Sequence, residues 1–155
     1  MSARVEVSVP VAADPETAFR AIVDLDTQER WMVGTRLYPL AGDIPLPEVG
    51  SRLAAFTGLG DVGFLDIMTV TEYEPPFRWV VRHDGAFVKG VGIFVVEPTA
   101  EGSRVTWIED LELPFGVLGR LGFPLVRPFA RAGVWYSLKR LAREAECVAP
   151  RRAVR

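Results

Sequence analysis

A chain of 155 residues has the length of one ordinary domain and buries roughly 70% of its unfolded surface around a single core, which argues against a two-domain enzyme. Its balance of 49% hydrophobic, 10% aromatic and 25% charged residues is that of a globular protein and excludes a disordered or collagen-like one. Eighteen basic against twenty acidic residues leave a net charge of −2, so no positive field is present to hold a nucleic-acid backbone or an anionic membrane.

Arg4 to Val9 alternates Val5, Val7 and Val9 against Arg4, Glu6 and Ser8, the period-two pattern of a half-buried strand, with Pro10 as its stop. Asp14-Pro15-Glu16 then supplies a side-chain cap, a proline at the first helical position and an early acid, ahead of Ala18, Phe19, Ile22 and Val23 on one face. A second short helix is predicted over Thr27 to Met32, and residues 35 to 113 read as strands divided by Gly and Pro turns. Within them His83-Asp84-Gly85-Ala86 has the composition of a two-residue hairpin, because Asp-Gly tolerates the positive φ angles of a type I′ turn. That turn would set Val81 opposite Val88, Trp79 opposite Gly90 and Phe77 opposite Gly92, with Arg78, Arg82, Lys89 and Glu97 on the other face. A further turn near Thr99 to Gly102 would set Val96 opposite Val105 and Phe94 opposite Trp107, and carry the inward face on through Glu109, Leu111 and Leu113 to Pro114.

From about Phe115 to Glu146 the chain reads as helix containing Pro124, Pro128 and Gly133. At 100° per residue Leu118, Leu121, Leu125, Phe129, Ala132 and Tyr136 share one face, and Arg120, Arg127 and Arg131 the opposite one. Val134, Leu138, Leu141 and Ala145 form a second stripe on the arginine side, so a straight helix cannot bury both against one sheet without a kink or a second partner. Residues 148 to 155 read as a basic frayed tail behind a single domain of residues 1 to 147.

Strand, two short helices, antiparallel meander and long C-terminal helix is the order of the helix-grip fold, an α+β architecture in which a curved sheet wraps the last helix over a cavity. The segments Val5-Glu6-Val7-Ser8-Val9, Ala13-Asp14-Pro15-Glu16-Thr17-Ala18-Phe19, Val49-Gly50, Glu72-Tyr73-Glu74-Pro75-Pro76-Phe77 and Ser137-Leu138-Lys139-Arg140-Leu141 are similar to the polyketide cyclase/dehydrase and lipid-transport-like branch of the START/Bet v 1 (SRPBCC) superfamily over nearly the whole chain. The resemblance implies this fold and a pocket for a hydrophobic small molecule: a lipid, an isoprenoid or a polyketide-like compound. It brings no catalytic signature, since these motifs are structural and members include cyclases, hydrolase-like proteins and carriers. The pocket mouth it implies falls near Trp31, Tyr38 and Arg52.

Glu109 stands out because the register turns it inward between Trp107 and Leu111, where an unpaired carboxylate costs several kcal/mol. It is either a ligand-contacting acid or base, or a carboxylate paired with an arginine or placed at a wet pocket mouth without a role. His83 faces inward too, but the two-residue hairpin sets it about six residues along its strand from the level of Glu109, about 20 Å at a strand rise of 3.3 Å, which rules out a dyad in that register and favours a turn histidine at the solvent, while its near-neutral titration keeps it, along with Glu109, as a candidate catalytic acid or base. Gly90 and Gly92 either open room for a ligand or are covered by aromatic side chains. Trp79, Val81, Phe94, Trp107, Leu125, Phe129 and Tyr136 complete the expected lining, although buried aromatic residues also serve simply as core.

Gly58-Leu59-Gly60-Asp61-Val62-Gly63 matches a dinucleotide motif but precedes a strand, Phe64 to Tyr73, so it is expected to be a turn, with no dinucleotide bound. One cysteine, Cys147, and one histidine leave no Cys/His set for zinc, and no metal or other cofactor is expected. No apolar run reaches the roughly 20 residues of a membrane span and Met1 to Pro10 lacks a signal-type stretch, so a cytoplasmic monomer or homodimer without nucleic-acid or membrane partners is expected. The alternatives to a binding protein are a cofactor-independent cyclase/dehydrase using Glu109, and an interaction module using the stripe Val134, Leu138, Leu141 and Ala145.

Overall fold

The computed structural model of the protein describes residues 2–86, 88–112 and 116–149, with the backbone alone described for 2, 116–118 and 120. The expectations for Leu113, Pro114, the side chains of Leu118 and Arg120, and residues 150–155 of the tail lie outside the described residues.

The chain has the helix-grip fold: a curved antiparallel sheet of seven strands in the order β1-β7-β6-β5-β4-β3-β2, with three helices on its concave side. Strand β1 (Ser2–Val11) runs past Pro10, which an edge strand tolerates because the missing N–H need not serve the ladder. Helix α1 (Pro15–Val23) starts where Asp14 accepts from the Thr17 N–H at 3.0 Å, and α2 (Leu25–Trp31) starts two residues earlier than predicted, on a second cap at Asp24. Strands β2 (Thr35–Pro39), β3 (Arg52–Leu59), β4 (Val62–Glu74), β5 (Arg78–His83), β6 (Lys89–Thr99) and β7 (Gly102–Glu112) follow. The glycine-rich segment is the β3–β4 hairpin, with Gly58 opposite Gly63 and Gly60 at φ +59°. In β4 the register shifts between Val70 and Glu72, so the inward face passes from Asp66, Met68 and Val70 to Tyr73, whose ring lies 6.0 Å from that of Phe19.

One expected register holds and one is corrected. β6 and β7 pair as predicted, Val96 with Val105 and Phe94 with Trp107. Between β5 and β6 the pairs are Trp79 with Phe94, Val81 with Gly92 and His83 with Gly90, so residues 84 to 89 lie between the last paired residues where two were expected. Asp84 is unavailable for a tight turn: its N–H donates to the Ile67 carbonyl at 2.7 Å and its carboxylate accepts from Thr69 and Arg82. At this connection the glycine with positive φ is Gly90, at +125°, where a side chain would collide with the Asp110 carbonyl. Phe77, expected on the inward face, precedes β5 and is half exposed.

Helix α3 (Gly116–Val148) also corrects the sequence reading. The buried face is the stripe expected to be left over: Leu138, Leu141 and Ala145 are at most 1% exposed. It continues toward the N-terminus through the partly buried Val134, Ala130 and Phe123, at spacings of three, four and seven. One stripe therefore covers most of the helix length, which removes the conflict between two faces. Leu121, Leu125, Phe129 and Tyr136 are exposed, at 70%, 75%, 78% and 50%. Polar contacts fix the helix in place: Ser137 Oγ accepts from the Val33 N–H at 3.1 Å and Arg131 donates to the Glu6 carbonyl at 3.1 Å.

Candidate functional site

The inward residues of β2 to β7, together with Gln28 and Met32 at the second helix, line a half-open cavity of about 190 Å³. Its walls are mainly apolar, with Leu37, Leu53, Ala55, Met68, Val81 and Leu111 among them, and Trp79, Phe94 and Trp107 form its aromatic side. Phe94 and Trp107 are 4.9 Å apart, and Trp31 packs edge-on against both at 6.1 and 6.0 Å. Trp31 is fully buried and donates to the Ala21 carbonyl, so it supports the wall and is no mouth residue; Tyr38 and Arg52 are exposed and do not line the cavity.

Three ionisable groups meet in this wall. His83 Nδ1 lies 2.5 Å from Asp66 Oδ2, and His83 Nε2 lies 3.2 Å from Glu109 Oε2. The indole N–H of Trp107 donates to the other oxygen of Glu109 at 2.6 Å. The expected separation of about 20 Å between His83 and Glu109 is thus corrected to hydrogen-bonding distance. The longer β5–β6 connection draws Gly90 to His83 and leaves Gly92 opposite Glu109, so the two side chains lie across β6 from each other.

The two glycines have different tasks. A Cβ on Gly92 would stand 3.2 Å from Glu109 Oε1 and 3.2 Å from Val81 Cγ2, so its bareness lets the carboxylate reach across the strand. Gly90 serves the backbone bend. The room expected for a ligand above Gly92 is occupied by Glu109 itself. On the far side of the histidine, Gly85 abuts Asp66, whose Oδ1 would collide with a Cβ there.

Electrostatically the cluster favours a charged histidine. Burial of His83 disfavours the imidazolium, but the hydrogen bonds to Asp66 and Glu109 and their negative charges outweigh it and push the pKa up to about 9. At neutral pH an imidazolium then sits between two carboxylates, each ring N–H donating to one of them. This set can orient a polar group of a ligand or move a proton at Glu109.

Among the predicted site residues, Trp79, Val81, His83, Phe94, Trp107 and Glu109 share the cavity wall. Leu125, Phe129 and Tyr136 do not, because α3 turns that stripe to the solvent; among the described residues the helical contribution to the lining is Gln28 and Met32 at α2. The sequence reading missed Asp66 and Gln28. Asp66 sits between Phe64 and Met68 in an alternating strand, so its inward facing was signalled, but no turn fixed which strand face was inward. Among the described residues no group of three or more His, Cys, Asp or Glu is arranged to hold a metal ion, and no helix is long and apolar enough to cross a membrane.

The sequence model of a family described as polyketide cyclase/dehydrase and lipid transport matches residues 2–146. Among solved structures, a protein of Thermus thermophilus superposes with a TM-score of 0.78 at 20% identity, covering 96% of this chain and 100% of that one. A protein of Mesorhizobium loti gives 0.70 at 18% identity over 96% and 100% of the two chains. A polyketide-cyclase-like protein of Corynebacterium glutamicum gives 0.65 at 18% identity over 94% and 93%. At these identities the likeness is one of fold. A comparison with curated proteins returns no match.

Proposed function

Because the chain belongs to the polyketide cyclase/dehydrase and lipid transport family, we propose that it binds a hydrophobic small molecule, a lipid, isoprenoid or polyketide-like compound, in its internal cavity. The observation that carries this reading is an apolar cavity of about 190 Å³ with the Asp66–His83–Glu109 cluster set into its wall. Concave apolar sites with a few convergent polar groups are where small ligands bind. The ligand packs on Trp79, Val81, Phe94 and Trp107 and turns its polar group to Glu109, next to His83. Under this reading the protein works in the cytoplasm without a cofactor, as a monomer or homodimer, and contacts neither nucleic acid nor the membrane interior.

The test is native mass spectrometry of freshly purified protein against its denatured mass, followed by a screen of apolar compounds. An adduct lost on denaturation, or saturable binding that Ala55→Trp abolishes by filling the cavity, is expected. A folded protein that carries no adduct and binds none of the compounds contradicts the reading.

The ionised cluster favours a second reading, a cofactor-independent cyclase/dehydrase. Glu109 takes a proton from an enolisable carbon of the bound substrate and becomes a neutral acid, the adjacent imidazolium stabilises the negative charge of the enolate, and the proton leaves with a departing hydroxyl as water. The cavity contributes orientation of a flexible substrate. Turnover that Glu109→Gln abolishes while binding survives supports this reading, and turnover that survives the substitution ends it.

A further inference from the structure

Charge, hydrogen-bonding capacity and size of the cavity together restrict what it accepts. Among the described residues the side chains around it include two carboxylates and one histidine but no lysine or arginine, so this part of the wall carries a net negative charge even with His83 protonated. Each N–H of the imidazolium is committed to a carboxylate, and the Trp107 N–H to Glu109, so these donors are spent inside the protein.

Acceptors, by contrast, are in surplus. Gln28 gives its amide N–H to the Ile22 carbonyl, which can only accept and therefore fixes the amide orientation; its Oε1 has no partner but is closed off from the cavity space, so the acceptor open to a ligand is Glu109. Glu109 receives one hydrogen bond on each oxygen, and a carboxylate oxygen has room for a second. The donors do not offset this: the Trp79 indole N–H is closed off from the cavity space, and the hydroxyls of Thr35 and Thr57 bond each other at 3.1 Å. A buried acceptor surplus beside a net negative charge is matched by a ligand that donates and is repelled by one that brings a second anion.

Size adds a third restriction. A cavity of about 150 Å³ accepts benzene, and this one measures about 190 Å³. One or two fused rings match that space, and a diacyl lipid would leave most of its length outside it.

Resting on the reading that the cavity binds an apolar small molecule, we propose that its ligand is a compact one- or two-ring compound whose polar end is a hydrogen-bond donor without negative charge, as in a phenol, donated to Glu109. Carboxylate- and phosphate-headed lipids are excluded by the same groups.

The test is calorimetric titration at neutral pH with four probes: naphthalene, β-naphthol, β-naphthoate and dodecanoate. β-Naphthol is expected to bind about ten-fold or more tightly than naphthalene, the usual gain from a hydrogen bond to a charged group, and both acids more weakly than naphthalene. In Glu109→Gln the naphthol advantage is expected to shrink and the naphthoate affinity to rise; Trp107→Phe, which keeps the charge and removes one donor, is expected to retain the exclusion of the acids. If β-naphthoate or dodecanoate binds wild type as tightly as β-naphthol, this inference is overturned while the apolar-ligand reading stands. If the folded protein binds none of the four, both are overturned.

Discussion

At the scale of single residues, the account rests on His83 and the two carboxylates that hold it. Since His83 is the sole histidine of the chain, its ring resonances report the cluster without overlap. An NMR titration is expected to give an apparent pKa near 9, well above the ordinary 6.5, and a lower value in Glu109→Gln, where one of the two negative charges is gone. An unshifted value near 6.5 in wild type would refute the geometry. The sign of the linkage follows: the folded pKa is raised, so His83 contributes its full stabilisation below pH 6.5 and loses it as pH rises through about 9. Denaturant melts across that window are expected to show falling stability in wild type and a flatter profile in His83→Gln. Gly92→Val is expected to push Glu109 off the histidine and lower the His83 pKa, because even a Cβ there stands 3.2 Å from the carboxylate. Glu109 was legible from alternation alone, since Trp107, Glu109 and Leu111 share a strand face. Its partner was not, because a hydrogen bond across β6 depends on register, and register depends on loop length.

At the scale of elements, the two departures from the sequence reading have one physical origin: a local pattern that two tertiary arrangements satisfy equally well. Asp84-Gly85 has the composition of a type I′ turn, yet Asp84 is committed to Ile67, Thr69 and Arg82 and Gly85 to Asp66, so the reversal falls later, and Gly90 takes the positive φ. In α3 two stripes compete, and the one with the larger residues loses because Leu138, Leu141 and Ala145 fit against α1, α2 and β1. Shorter signals were unambiguous: the Asp14 cap, the β6–β7 turn and the strand after the glycine-rich segment all stand as read. The helix assignment is tested by paired truncations. Leu141→Ala is expected to cost about 2–5 kcal/mol, as for a fully buried leucine, and Leu125→Ala to stay within about 0.5 kcal/mol of wild type, as for a surface position. Equal losses in chemical denaturation would mean that the helix buries the other face.

At the scale of the whole molecule, fold and site are coupled through the curvature of one sheet. Its concave face carries the core near α1 and the C-terminal part of α3, and the cavity where β2 to β7 meet α2, so the ligand space is a continuation of the core left unfilled. The order of elements made the fold legible in the sequence. The cavity was only partly so, since its lining from β5 to β7 follows from alternation, while the contribution of Gln28 and Met32 depends on which helix lies over which strands. The central claim, that a small molecule enters this cavity and meets the ionised cluster, is tested most directly by titrating wild type with β-naphthol and following the His83 ring resonances. A saturable shift of those resonances, absent in the cavity-filling Ala55→Trp, is expected; binding that leaves His83 unmoved, or that persists unchanged in Ala55→Trp, would contradict the claim.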